Sequence, residues 1–137
     1  LFEFFKFMID YRKKHPVIRK KLDNAVCGME AMHAHDVNAE RMEVPQNAKT
    51  LAVSFAGYDR KKGKDDLVYV AVNSYWEEVK ITLPNLANHG AWYLSVDTYG
   101  DEKGKYFYKE GEEIRIDREY VMKPRSIVVF TGREILR

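Results

Sequence analysis

Leu67-Val68-Tyr69-Val70-Ala71-Val72-Asn73 is followed, after Ser74-Tyr75-Trp76-Glu77-Glu78, by Val79-Lys80-Ile81-Thr82-Leu83. Through Val72 the first run is continuously apolar, which suits a central strand covered on both faces. The second run alternates: Val79, Ile81 and Leu83 share one side, and Lys80 and Thr82 the other. Two strands of different burial joined by a short polar link are the signature of a layered β-fold.

The same pattern continues outward in both directions. Thr50–Tyr58, Trp92–Asp97, Lys105–Tyr108, Glu113–Ile116 and Ser126–Thr131 are short runs rich in β-branched and aromatic residues, and Cys27–His33 is a further candidate strand. Polar turns separate them at Gly57 to Asp66, Gly100 to Gly104 and Lys109 to Glu112. Strands at this spacing, with no helical pattern between them, predict a mainly β protein, an antiparallel Greek-key β-sandwich.

One N-terminal α-helix precedes it. At about 100° per residue, Phe7, Tyr11, Phe4, Met8, Leu1, Phe5, Ile9 and Phe2 fall on one arc of roughly 220°. A helix lying on a single sheet needs a much narrower apolar stripe, so this one is expected to be covered on two sides. Arg12 projects from the middle of the arc, where a charge needs a partner. His15-Pro16 ends the helix, because a residue before proline is pushed out of the α region. The chain begins at Leu1, already inside this helix.

Composition narrows the classes of function. The 137 residues are 45% hydrophobic and 32% charged, enough for a core and against wholesale disorder, and the length suits one domain. The net charge is only +2 with both signs interleaved, so no nucleic-acid partner is expected. The single Cys27 allows no internal disulfide and reads as a small core residue, and no apolar run approaches the roughly 18 residues of a membrane span. No membrane partner is expected, and the expected location is cytoplasmic.

Few residues suggest chemistry. His33 and His35 share a strand face and sit beside Asp36, but a metal site needs a third ligand that the sequence does not offer. No nucleophile motif or phosphate loop accompanies them, so no cofactor, metal or catalytic residue is expected. The acids Asp65, Asp66, Asp97, Asp101, Glu102 and Glu110 to Glu113 lie in turns and read as solvated rather than as a glycosidase pair. Among the aromatics, Trp92 alternates with Leu94 and Val96 and is expected on their face, in the core. Tyr75-Trp76 lies in a tight connection, where stacking on sugar rings and packing across the domain edge both remain open.

Four segments, in order, carry a resemblance. Ile9-Asp10-Tyr11-Arg12-Lys13-Lys14-His15-Pro16-Val17-Ile18-Arg19 resembles the last barrel helix of α-amylase superfamily glycoside hydrolases, closest to the isoamylase, pullulanase and glycogen debranching branch. Val70-Ala71-Val72-Asn73-Ser74-Tyr75-Trp76-Glu77-Glu78-Val79 resembles the Asn-Ala-Tyr-Trp-Glu-Pro stretch of that branch's C-terminal β-domain. Val96-Asp97-Thr98 is similar to its next strand, and Pro124-Arg125-Ser126-Ile127-Val128-Val129-Phe130 to its closing one. Cys27-Gly28 through Val37 is similar to a segment with a His-Gly pair near a substrate-facing loop. His35 takes the His place, Asp36 replaces the Gly, and no tryptophan follows in 38–46.

The resemblance implies a non-catalytic accessory domain of a glycogen or starch debranching hydrolase. In that family the catalytic Asp nucleophile, Glu acid/base and second Asp lie on upstream barrel strands that match nothing in these residues. Residues 1–22 would then be the terminal helix and linker of a (β/α)₈ barrel, and 23–137 the sandwich. Phe2, Phe5, Ile9 and Arg12 would face the barrel, the partner within the same polypeptide. Tyr75, Trp76 and His35 are the candidates for contact with α-glucan if the domain instead acts as a carbohydrate-binding module. A protein-interaction sandwich unrelated to sugars is the third reading. Without a barrel, the helix is expected to self-associate or fray.

Overall fold

A computed structural model describes residues 2–27, 29–35, 50–86 and 90–134. The helix α1 spans Phe2–Lys14, with Glu3 in its first turn and Arg12, Lys13 and Lys14 in its last, so its charges oppose its dipole. The Lys62 ammonium donates to the Lys14 carbonyl at its C-terminal end, and Pro16–Ile18 continues as a single 3₁₀ turn.

Eight strands follow among the described residues: β1 (Met32–His35), β2 (Thr50–Asp59), β3 (Lys64–Asn73), β4 (Val79–Thr82), β5 (Gly90–Asp97), β6 (Ile114–Ile116), β7 (Glu119–Met122) and β8 (Ser126–Glu134). All pairings are antiparallel. The large sheet has the order β1-β2-β3-β8-β5-β6, and β4 pairs with β7 in a second, two-stranded sheet. The last strand therefore inserts between β3 and β5, and the expected mainly β, sandwich-like architecture is present.

The large sheet is covered on both faces, which explains the apolar continuity of β3 and β8. On one face Tyr69, Ala71, Trp92, Leu94, Val128 and Phe130 pack against Ile81, Leu83 and Met122 of the small-sheet side. On the other, Val68, Val96 and Val129 pack with Phe55, Val70 and Phe107 against Tyr11, Val17, Phe4, Phe7 and Met8. The Phe4 and Phe7 rings lie 5.8 and 5.0 Å from that of Phe107.

Several expectations are corrected. Trp92 and Leu94 do share the inter-sheet face, but a β-bulge between Leu94 and Val96 turns Val96 to the helix side. Lys105–Tyr108 is not a strand; Phe107 makes one isolated bridge to Val96. The strand near Cys27–His33 is displaced to Met32–His35, and β7 lies where none was expected. Gly132 marks a close approach: an added Cβ would lie 2.9 Å from Leu67 Cβ and 3.0 Å from Trp92 Cζ3.

Candidate functional site

Three surfaces carry the residues singled out by sequence. The first is one end of the sandwich. Buried Asn73, at the end of β3, donates from Nδ2 to the carbonyls of Glu77 (3.0 Å) and Lys123 (3.1 Å), and its Oδ1 accepts from the Tyr75 amide at 2.9 Å. One side chain thus satisfies three backbone groups in two loops, fixing the connection that holds Tyr75 and Trp76. The Arg125 amide adds a bond to the Tyr75 carbonyl at 3.1 Å. Tyr75 is half-buried with its ring 5.3 Å from that of Trp76, and Trp76 is 63% exposed.

Sequence reasoning missed what stands beside them. Tyr99, in the turn after β5, is 61% exposed, and the Lys123 ammonium sits 5.9 Å from its ring while donating to Glu78 at 3.2 Å. Lys123, in the turn between β7 and β8, links Tyr99 to Glu78 of the Trp76 loop, so no local spacing announces the connection.

The second surface is the outer side of α1. Phe2, Phe5 and Ile9 are 72%, 58% and 57% exposed, and Arg12 is exposed beside them. These four lie on one stripe of the helix, away from Phe4, Met8 and Tyr11, which face the sheet.

The third is a cleft of about 430 Å³ between α1 and the large sheet. At its floor the Tyr11 hydroxyl meets Thr131 Oγ1 at 2.6 Å, and Ser95 Oγ meets the same atom at 2.8 Å. Burial pushes the Tyr11 phenol well above the usual tyrosine range. At its sides His15 Nδ1 lies 2.6 Å from Asp66 Oδ1, and Arg133 pairs with Glu113 while lying over the Tyr93 ring. Lys14 bridges Asp10 and Glu110 at its rim.

The turn acids are not uniformly solvated, contrary to expectation. Asp66 is buried and also accepts from the Val17 amide. Asp65 accepts from the Val26 and Cys27 amides, and buried Asp97 accepts from the Tyr120 hydroxyl and the Tyr99 amide. Asp101 is exposed and accepts from the Lys105 and Lys103 amides, which lowers its carboxyl below the usual value. These carboxylates anchor loops by accepting hydrogen bonds from backbone amides and, at Asp97, from a phenol.

His33 Nδ1 contacts Glu30 at 2.9 Å, and the backbone of His35 pairs with Ala52; Asp36 lies outside the described residues. No cluster of three metal-ligating side chains occurs among the described residues. Cys27 is half-buried against the inter-sheet core, and burial raises its thiol pKa. No described helix is long and apolar enough to cross a membrane.

Residues 29–131 match the protein family described as isoamylase, C-terminal. The match takes in β1 through the middle of β8 and with them the whole end surface around Asn73, Trp76 and Tyr99. No curated protein matches the chain.

Proposed function

Because the chain belongs to the isoamylase C-terminal domain family, we propose that it is a non-catalytic accessory domain of a glycogen or starch debranching glycoside hydrolase, and that it stabilises the catalytic barrel of the same polypeptide. The observation that carries this reading is the two-sidedness of α1. One side is spent on the large sheet, and the other leaves Phe2, Phe5 and Ile9 in water. Covering such side chains is worth about 1.5–3 kcal/mol each when complete, so a larger body has reason to sit there. Leu51, Val72 and Ile127 support the same reading. They pair across β2, β3 and β8 on the helix side of the sheet and are also exposed.

The 137-residue chain alone should release no reducing sugar from glycogen or pullulan. In the longer polypeptide, Phe5→Ser with Ile9→Ser should lower the melting temperature by several degrees. Turnover by the chain alone, or an unmoved melting temperature, would overturn the proposal. A concentration-dependent dimer through α1 would instead favour self-association.

A second reading is contact with α-glucan through Tyr75 and Trp76, with His35 as the outlying candidate. The exposure of Trp76 on a loop fixed by Asn73 favours it. Retardation of the chain in glycogen-containing native gels, abolished in Trp76→Ala, is the expected result.

A further inference from the structure

We propose that Tyr99 is a second stacking ring of the Tyr75–Trp76 surface, so that this end of the sandwich holds a linear α-glucan at two separate sugar contacts. The inference rests on the glucan reading of Trp76 and extends it to a bidentate site.

Both rings are large apolar groups left in water, Trp76 at 63% and Tyr99 at 61% exposure, although the ends of the neighbouring strands are packed. Both stand on backbone that is fixed before any ligand arrives. Asn73 holds the Trp76 loop through three hydrogen bonds. The Tyr99 turn is held by its own amide on Asp97 Oδ1 (3.0 Å), the Gly100 amide on the Asp97 carbonyl (3.0 Å), and reciprocal bonds between Thr98 and Ile127. Preorganised rings lose little freedom on binding, which is what a weak, shallow sugar contact requires.

Lys123 ties the two platforms together. Its ammonium lies over the Tyr99 ring and donates to Glu78, two residues past Trp76, while its carbonyl accepts from Asn73. The Glu78–Lys123 pair therefore lies beside the Tyr99 ring, two residues along the chain from Trp76, and offers a hydroxyl-rich ligand both an acceptor and a donor. Apolar C–H faces on the rings and hydroxyls on the adjoining charge pair match a glucose polymer. An apolar protein partner would leave that charge pair desolvated.

Two contacts on one ligand make affinity depend on chain length, since the second is intramolecular once the first has formed. Calorimetric titration of the 137-residue chain with α-1,4-linked oligosaccharides of two to eight glucose units tests this directly. Affinity should rise about tenfold or more once the chain reaches both rings. Tyr99→Ala should leave the shortest ligands unaffected and remove the rise, whereas Trp76→Ala should abolish binding at every length. Both side chains are exposed, so both variants should keep the wild-type melting temperature. If Tyr99→Ala binds like wild type at all lengths, the bidentate inference fails and the Trp76 reading stands. If Trp76→Ala also binds like wild type, or no oligosaccharide binds, both fail.

Discussion

The hydroxyl of Tyr11 lies 2.6 Å from Thr131 Oγ1, joining the first helix to the last strand through a bond buried between α1 and the large sheet. Thr131 keeps its second partner, Ser95, at 2.8 Å, so deleting the phenol oxygen leaves no orphan on the sheet. Tyr11→Phe should therefore cost only about 1 kcal/mol in urea unfolding. Tyr11→Ala, which also empties the ring's space, should cost about 3–5 kcal/mol.

The same tyrosine predicts alkaline behaviour. Burial raises the Tyr11 phenol, and burial followed by the Asp97 hydrogen bond raises that of Tyr120. A group whose folded value lies above its unfolded one contributes stability that is complete below the unfolded value and is lost as pH rises. Stability should thus fall as pH climbs above about 10, where unfolded tyrosines ionise. Tyr120→Phe should flatten that fall, which melting temperatures measured from pH 8 to 11 would reveal.

Asn73→Ala removes one buried side chain and strands three backbone groups in two loops. The expected loss is about 2–4 kcal/mol. Glycogen retardation should weaken at temperatures where the variant is still folded, because the Trp76 loop is no longer held. Asn73→Asp should rescue little, since a carboxylate cannot donate to the carbonyls of Glu77 and Lys123.

Within α1, the two apolar sides should respond differently in the 137-residue chain. Phe7→Ala breaks ring contacts with Phe107 and Tyr11 and should cost about 2–3 kcal/mol. Ile9→Ser, on the exposed stripe, should change stability by no more than about 0.5 kcal/mol, by the same chemical denaturation.

Gly132→Ala places a methyl group within 3.0 Å of Leu67 and Trp92 in the inter-sheet core. Trp92 is also held by its indole N–H on the Pro84 carbonyl at 2.8 Å and cannot easily yield. A loss of about 1–3 kcal/mol is expected, seen as a lower urea midpoint.

Local pattern made much of this architecture legible. Val79, Ile81 and Leu83 announced β4 by alternation, and Leu67–Val72 announced a doubly covered strand by its lack of it. Val96 departs from the face that alternation predicts because a bulge adds one residue without any compositional marker. β7 escaped because Glu119-Tyr120-Val121-Met122 is short and mixed. The acids differ from expectation for another reason: Asp66 pairs with His15, Asp97 with Tyr120 and Glu113 with Arg133, partners that come together only on folding. Trp76 is visible in the sequence, whereas Tyr99 joins its loop only through Lys123, which touches both Tyr99 and Glu78.

The long reach between Tyr11 and Thr131 also sets a timetable. At roughly 5–20 residues per second of synthesis, the strand that seats α1 emerges some 6–24 s after the helix itself. During that interval Phe4, Phe7 and Met8 lack the complete sheet face on which they finally lie. Such a segment needs an earlier-made surface or a chaperone while it waits. The order of the chain therefore makes the helix a nascent-chain hazard, and the sandwich completes the cover of its inner side only at its final strand.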